Sequence, residues 1–555
     1  MAIPKITPTQ AELDSTKTGG RHRADRNATK HKKGKGADKR HKKHHGTWND
    51  EHWRWVETPE GDWRVQGYIF HHKHKPPKHH FRGPGPKPPV RAKSVAAAIA
   101  AAPTGEQRPA GSFGGTFGVP QATRLLNRAG FGPSPGQAQQ LASLGLVGAV
   151  QSLTRPSGAA VLSGPAPTDD EGDPLAPADI WGQDHVWWLD RMIRTSQPLV
   201  ERMALVLHDW FATSEGGVSK AQQMIDQSNL FRAYCFGSFL DLFKAVTVDP
   251  AMLQWLNGAE NVKDAPNENY AREMMELFSL GADRGAYTED DIREQARALT
   301  GWDYEWSAEL GSHNFHFNPK RHDTGIKTVF GKAGNWNWED ACRLCTENPY
   351  HPSFFVGKLW SYFVGAPPSE ATRATLEATY LGSGLQIRPV LEAILMSPDF
   401  YEGPPMVKPP VVHLATMMRA TGRYVDTDSW TWLCDEAGQQ LFWPPNVAGW
   451  DDAHWLDTSR MRARWNVVDF VLDGISGEYW DTEYSETETA AEAVEKALAA
   501  WGNPELRPEH RAELLAFAQR AEALITAKWQ RAPYRNLRQN AVLQLIGISP
   551  DLLLQ

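Results

Sequence analysis

Two carboxylates on one predicted helix, Glu273 and Glu276, are spaced for joint chemistry. The helix is predicted over 266–281, because a proline suits its first turn and a glycine its end. At about 100° per residue, Asn269 falls on the same helical face. Carboxylates one turn apart can bridge a metal ion or divide the roles of general acid and general base. Alternatively, Glu276 pairs with Arg272 on the surface and has no chemical role.

Two histidine–aspartate pairs add the ligand types that divalent metals prefer. His208 and Asp209 lie in an otherwise apolar predicted helix, and a second pair lies in a predicted turn over 321–325. Neutral imidazole and carboxylate suit Zn²⁺, Mn²⁺ or Fe²⁺. A hydrogen-bonded core histidine and a solvated loop explain the same residues without a metal. The candidate metal ligands are His208, Glu273, Glu276, His322 and Asp323.

Charged residues also interrupt the apolar stripe of the predicted helix over 197–211. Glu201 and His208 are two turns apart and therefore share a face. An unpaired buried charge costs on the order of several kcal/mol, so we expect Glu201 and Arg202 to have partners. An arginine at such a site, Arg202 or Arg272, also suits a carboxylate or phosphate on a ligand. The candidate catalytic residues are Glu201, His208, Asn269, Arg272 and Glu273.

One shared polar cluster would satisfy all these side chains at once. The sequence therefore predicts that the helix over 197–211 packs against the helix over 266–281. The 321–323 turn is expected to close over one end of this contact. Whether the cluster is catalytic, metal-binding or structural stays open at this point.

The elements that must position these residues are mostly helical. From about residue 120 onward, apolar residues recur at helical spacing between glycine and proline breaks. The segment 312–330 alternates instead and predicts a short strand or an extended loop. The predicted fold class is mainly α, a large multi-helix body with a few short strands, preceded by a disordered basic arm.

Composition limits the kinds of protein this chain can be. Its 555 residues include four cysteines, which excludes a disulfide scaffold, and no apolar run is long enough for a transmembrane helix. Residues 1–95 hold 22 Lys and Arg against 9 Asp and Glu, and 11 of the 20 histidines. The remaining chain is acidic. Neither a phosphate-binding loop nor a nucleophile elbow stands out in the sequence.

The basic N-terminal region divides into three predicted parts. Residues 1–47 are expected to be a disordered His-rich arm, 48–70 a small β-hairpin, and 71–118 a linker rich in Pro, His and Ala. The helical domain is predicted over 119–555. The basic residues of 1–95 suit a polyanion partner, although a solvated arm that keeps the protein soluble, or metal binding by the histidine tract, explains them too.

Several short sequence motifs occur together in this chain in an order that is familiar from a protein family. They are Leu125 to Gly132, Glu201 to Thr213, Asn267 to Glu273, Ala298 to Trp302, His322-Asp323, and Pro444 to Trp450. In this order they resemble the bacterial family called domain of unknown function 1800, over roughly residues 120–555. The resemblance implies no particular reaction. It implies frequent export, although no clear signal peptide follows Met1, and a partner similar to the alkaline phosphatase/sulfatase superfamily.

Two functions are consistent with these observations. The first is a metal-assisted hydrolase or related enzyme that uses the predicted cluster, with Zn, Mn or Fe as its divalent metal. The second is a non-catalytic helical binding or assembly protein at the cell envelope, with the basic arm on a polyanion. The sequence alone does not decide between an enzyme and a binding protein.

Overall fold

A computed structural model describes the backbone of 54–57 and 63–66, and residues 109, 111–218, 220–308, 310–473 and 488–555. The chain divides into two compact units, Met1–Val90 and Arg91–Gln555. In the first unit, β1 (Arg54–Glu57) pairs antiparallel with β2 (Trp63–Gln66). The arm predicted over 1–47 and most of the linker predicted over 71–118 lie outside the described residues.

Helices make up most of the second unit, so the predicted mainly α fold is confirmed. Its first half contains α1 (Val119–Arg128), α2 (Gln137–Ala142), α3 (Gly145–Thr154), α4 (Gln183–Arg194), α5 (Pro198–Trp210), α6 (Ala221–Tyr234), α7 (Phe239–Thr247), α8 (Pro250–Trp255), α9 (Asn269–Glu273) and α10 (Glu289–Ala298). Its second half contains α11 (Trp338–Thr346), α12 (His351–Ser361), α13 (Glu370–Gly382), α14 (Ile387–Met396), α15 (Pro398–Glu402), α16 (Pro410–Thr421), α17 (Ser429–Glu436), α18 (Thr458–Leu472), α19 (Ala490–Ala500), α20 (Pro508–Ala523), α21 (Arg531–Gly547) and α22 (Pro550–Leu553).

Two short hairpins separate α10 from α11. Strand β3 (Trp302–Ser307) pairs antiparallel with β4 (Gly311–Phe317), and β5 (Lys327–Val329) pairs with β6 (Lys332–Gly334). Strands β4 and β5 fall in the segment 312–330, where the sequence predicted extended structure, whereas their partners β3 and β6 lie on either side of it. They are too short and too few to form a central sheet, so the core is built by helices.

The helix predicted over 266–281 begins later and changes character partway. The side-chain oxygen of Asn267 accepts a hydrogen bond from the Asn269 N–H at 3.0 Å, so the regular helix starts at Asn269. After α9 the backbone continues as a π-helix over Met274–Ser279. The Ser279 hydroxyl donates to the Met274 carbonyl at 2.6 Å, which satisfies one acceptor of this wider turn.

Helix α5 lies at the centre of the hydrophobic core. Leu199 and Met203 in the helix and Phe211 at its C-terminal end are fully buried. Trp210 donates its indole N–H to the Phe278 carbonyl at 3.2 Å. Its charged residues are therefore inside the protein, where each needs a partner. Among the described helices, none combines the length and the apolar character that crossing a membrane requires.

Candidate functional site

A cavity of about 630 Å³ lies beside α5, and one face of that helix forms part of its wall. Arg202, Val206 and Asp209 line it, at the spacing of three and four residues that places side chains on one helical face. The two charged residues are seven positions apart, so they lie roughly 10 Å from each other along the helix axis. The cavity therefore has a cationic end and an acidic end.

Apolar residues, including four aromatic residues and four prolines, supply most of the remaining wall. They come from the end of α12, the segment that leads into α16, and the loop before α18. Because these groups are apolar, the few polar side chains fix the orientation of whatever occupies the cavity. The wall residues include Trp360, Tyr362, Pro367, Pro405, Met406, Trp450 and Trp455.

Asp209 is held in place at the acidic end by two hydrogen bonds. The Tyr362 hydroxyl donates to Oδ2 at 2.7 Å, and the Trp450 backbone N–H donates to Oδ1 at 2.9 Å. Burial raises the pKa of Asp209, and the two hydrogen bonds oppose this rise. Gly449, at φ +95°, lies so close to Asp209 that any side chain there would collide with the carboxylate. The Pro444–Trp450 loop thus needs its glycine in order to pack on α5.

Four basic side chains converge at the cationic end. Arg202 comes from α5, Lys408 from the residues just before α16, His413 from α16 and Arg464 from α18. All four are between 1% and 3% exposed. Burial, and then the charges of the two arginines, lower the pKa of Lys408. Burial, and then the charges of Arg464 and Lys408, lower the pKa of His413.

These basic groups have fewer hydrogen bonds than their donors require. Arg202 Nε and Nη1 and Arg464 Nη1 are buried without a partner, and so is His413 Nδ1. Arg464 donates to the Trp455 and Lys408 carbonyls at 3.2 and 2.8 Å. Among the described residues, no carboxylate forms an ion pair or a hydrogen bond with any of the four. The positive charge of this end is therefore uncompensated.

A second cavity of about 640 Å³ adjoins the cationic end. Pro405 and Gln555 line both cavities, and Lys408 lines the second. When the Gln555 amide oxygen faces α5, it accepts a hydrogen bond from Arg202 Nη2 at 3.2 Å. The cationic end thus lies at the wall that the two cavities share.

Another buried arginine shows what a satisfied guanidinium looks like in this protein. Arg419 donates to the Gly132 and Ile193 carbonyls at 3.0 and 2.6 Å, and to Ser134 Oγ and Gln137 Oε1 at 3.0 Å each. Burial lowers the pKa of Arg419 and of Arg202 alike, to about 10. The two residues differ in their hydrogen bonds, which are complete for Arg419 and incomplete for Arg202.

The structure gives Glu201, one of the predicted catalytic residues, partners on neighbouring helices. Arg191 Nε donates to Glu201 Oε1 at 3.0 Å, and Arg232 Nη2 donates to Oε2 at 2.8 Å. The Trp188 indole N–H donates to Oε2 as well, at 3.2 Å. Glu201 therefore satisfies two arginines at the junction of α4, α5 and α6, which is a structural arrangement.

His208 lies in an aromatic environment rather than among carboxylates. Its ring centroid is 5.4 to 5.6 Å from those of Trp188, Phe442 and Trp450. Burial lowers its pKa to about 3, so the ring is neutral at physiological pH, and Nε2 has no hydrogen-bond partner. A neutral imidazole in this position packs as an aromatic side chain.

The predicted residues on α9 and the following π-helix form a separate group near the surface. Arg272 bridges Glu268, Glu276 and Glu289, with its closest contact at 2.8 Å to Glu289 Oε2. The ion pair between Arg272 and Glu276 is the surface arrangement considered as the alternative at the sequence level. The two remaining members are half-buried Glu273, whose pKa is raised by burial and then by Glu276, and Asn269, which donates to Asn257.

His322 and Asp323 form a third group. His322 Nδ1 donates to the Thr300 carbonyl at 2.9 Å, and Arg297 Nε donates to Asp323 Oδ2 at 2.7 Å. The Arg297 guanidinium holds the pKa of Asp323 below its usual range. These bonds fasten the turn to α10 and do not reach α5.

The expected single cluster is therefore wrong as a geometric prediction. Hydrogen bonds and ion pairs place the predicted residues in three groups, and none joins His208 or Glu201 to Glu273. The C-terminal end of α5 does contact the π-helix, but through Phe211 and Phe278, whose ring centroids are 5.1 Å apart. Within the described ranges, no three His, Cys, Asp or Glu side chains are grouped as metal ligands. The individual catalytic and metal-binding roles stay predictions.

Sequence reasoning missed most of the cationic end. Arg202 and Asp209 were visible as polar residues of an apolar helix, but Lys408, His413 and Arg464 were not singled out. They lie about 200 to 260 residues further along the chain, and no local spacing links them to α5. A count of the basic residues that lie within otherwise apolar helices would have been a useful sequence signal for this site.

Together the fold and the cavity define a mainly α protein with a buried, uncompensated cationic site. A family model described as "Protein of unknown function (DUF1800)" matches residues 124–554. The chain belongs to this family, as the resemblance of its sequence phrases implied. No curated protein and no solved structure matches the chain.

Proposed function

We propose that the protein binds a small organic anion in the cavity beside α5. Arg202, which lines this cavity, holds the charged group of this ligand, and Lys408 and Arg464 lie close enough to add their positive charge. The observation that supports the proposal is that Arg202, Lys408 and Arg464 are buried close together without a carboxylate partner among the described residues, and that the two arginines have unused donors. Buried charges without counterions are rare in proteins because each costs on the order of several kcal/mol.

A carboxylate, phosphate or sulfate group supplies what the cationic end lacks. Each of these groups presents two or more acceptor oxygens, and a guanidinium fork donates to two oxygens at once. Arg202 Nε and Nη1 and Arg464 Nη1 are the free donors for these bonds. The ligand charge also relieves the repulsion among the three cations.

The rest of the cavity indicates the shape of the ligand. Its walls are largely apolar and include four aromatic residues, which suit a flat or sugar-like body. Asp209, roughly 10 Å along α5 from Arg202, can accept a hydrogen bond from a hydroxyl or amine at the far end. A monoester of phosphate or sulfate on a polyhydroxylated body meets both requirements. Such an ester would also suit the phosphatase- or sulfatase-like partner that the family resemblance implies.

This proposal develops the binding protein among the two functions left open by the sequence. A hydrolase is the second candidate, because Asp209 lines the same cavity, has a raised pKa and receives the Tyr362 hydroxyl. A carboxyl group of this kind can exchange a proton with a bound ester. A metal-assisted form of that reaction would require ligands beyond those grouped in the described residues.

Calorimetric titration with methyl phosphate and methyl sulfate tests the proposal. The wild-type chain is compared with Arg202→Met and Arg464→Met, and with Arg272→Met as a control for an arginine outside the cavity. We expect binding by the wild type and the control, and at least about tenfold weaker binding by the two cavity variants, since each loses a charge-assisted hydrogen bond. The basic arm is present in every variant, so its own anion binding cancels. Equal binding by all four proteins would contradict the proposal.

A further inference from the structure

Lys408 differs from the other fully buried lysine of the described residues. Lys327 is also buried, but its ammonium donates to the Asp323 and Gly325 carbonyls, the latter at 3.0 Å. The Lys408 side-chain nitrogen has no such partner among the described residues, and Lys408 lines the second cavity. Its backbone, in contrast, is fixed: its N–H donates to the Leu553 carbonyl at 2.9 Å, and its carbonyl accepts from Arg464.

The surroundings of Lys408 favour its neutral amine. Burial, and then the charges of Arg202 and Arg464, lower the pKa of Lys408 to about 7. The groups that face it are Arg202 from α5, Arg464 from α18 and His413 from α16. The neutral amine is therefore much more populated near neutral pH than in an ordinary lysine. A desolvated amine beside other cations is a nucleophile toward carbonyl groups.

We infer that Lys408 forms an imine with a carbonyl-bearing organic anion whose charged group is held by Arg202 and Arg464. This inference rests on the proposed function and names the ligand class more narrowly, as a 2-oxo acid or a phosphorylated aldehyde. Arg202 lines the first cavity and Lys408 the second, so the carbonyl of this ligand lies at the wall that the two cavities share.

The reaction is a reversible condensation that needs no oxidant or reductant. The Lys408 Nζ lone pair attacks the carbonyl carbon, the carbon–oxygen π bond breaks, and a proton moves from nitrogen to oxygen. The resulting carbinolamine loses water and leaves a carbon–nitrogen double bond. His413 Nδ1, which is buried without a partner while Nε2 donates to the Gly547 carbonyl at 3.1 Å, is available to carry the proton.

Reductive trapping tests the inference on the full chain. The protein is incubated with pyruvate and sodium cyanoborohydride, and the modified lysine is located by peptide mass spectrometry. We expect Lys408 to gain the mass of pyruvic acid less one oxygen atom, with half-maximal labelling near pH 7. Lys327 is the internal control, and we expect it to stay unmodified because its amine is hydrogen-bonded. Labelling spread over surface lysines, with a pH midpoint near that of ordinary lysine, would overturn the inference.

Two variants separate the failure of this inference from that of the proposed function. Lys408→Arg removes the amine that forms the imine, so we expect the mass gain at this position to disappear, while labelling of the surface lysines stays as in the wild type. Arg202→Met keeps Lys408 and weakens the hold on the anion, so we expect labelling to fall at least about tenfold. If wild type binds methyl phosphate but Lys408 is not labelled, the imine is refuted and the proposed function stands. If neither occurs, both fail.

Discussion

Replacing Arg202 by methionine is expected to stabilise the ligand-free protein, although the substitution removes the polar contacts of a large buried side chain. The fall in the pKa of Arg202 to about 10 means that burial disfavours the charged form by about 3 kcal/mol. Methionine fills much of the same volume without this desolvation. The variant loses one hydrogen bond to Gln555, worth about 1 kcal/mol. The net expectation is a gain of roughly 1–3 kcal/mol in the free energy of unfolding.

Arg419→Met is the matched control for this experiment. Burial lowers the pKa of both arginines to about 10, so the desolvation of the two side chains is comparable. Arg419, however, donates five hydrogen bonds to carbonyl, hydroxyl and amide oxygens. Its removal leaves buried acceptors without donors, so we expect a loss of roughly 2–4 kcal/mol.

Urea denaturation, followed by tryptophan fluorescence in a buffer free of phosphate and sulfate, measures both variants. The account predicts shifts of opposite sign for the two methionine substitutions, with Arg202→Met moved to higher urea. A loss of stability in Arg202→Met as large as that in Arg419→Met would refute the reasoning, because it would mean that Arg202 is fully satisfied in the ligand-free protein. The two m-values should agree, which checks that the same unfolding is compared.

Three further predictions concern other parts of the chain. Asp184 is buried with both oxygens unpartnered, and burial and then Glu215 raise its pKa to about 8, so its proton makes wild-type stability fall from about pH 4 to pH 8. Asp184→Asn should reduce this slope, part of which comes from buried Asp249, and should be the more stable protein at pH 9 by roughly 2 kcal/mol or more in urea titrations; an unchanged slope would contradict the prediction. Gly449→Ala should lower the free energy of unfolding by roughly 2–4 kcal/mol in the same assay and weaken methyl phosphate binding, because a Cβ at φ +95° collides with Asp209. A variant as stable as the wild type would show that the loop relaxes freely. Deleting residues 1–95 should leave the melting temperature of the helical domain nearly unchanged and reduce retention on heparin, and a large fall in melting temperature would show that this region packs as an integral part of the fold.

Local sequence patterns predicted the helices better than they predicted the site. Thr288 followed three residues later by an acidic residue is the sequence pattern of a capping box, and the box is present in the structure, with the Thr288 side chain accepting from the Asp291 N–H at 3.2 Å. The expectation that buried Glu201 needs partners was also correct. Its partners, Arg191 and Arg232, could not be identified, because many arginines are available and the packing of three helices selects two of them.

The cationic end depends on long-range packing that periodicity does not encode. Spacing along α5 shows that Arg202 and Asp209 share a face, and this local relation holds in the structure. The meeting of Arg202 with Lys408 and Arg464 depends on how α16 and α18 pack against α5. Desolvation arguments alone favoured a cluster in which charges cancel, whereas this end gathers like charges. Such an exception to stability rules is expected at functional sites.

The most direct test of anion binding is a crystal of the full chain soaked in selenate, with anomalous difference maps recorded at the selenium edge. Selenate has the charge and shape of sulfate and can be located without ambiguity. The account predicts an anomalous peak within hydrogen-bond distance of the Arg202 and Arg464 guanidinium groups and of Lys408 Nζ. Selenate peaks confined to surface residues, with the cationic end unoccupied at saturating soak concentrations, would contradict the central claim.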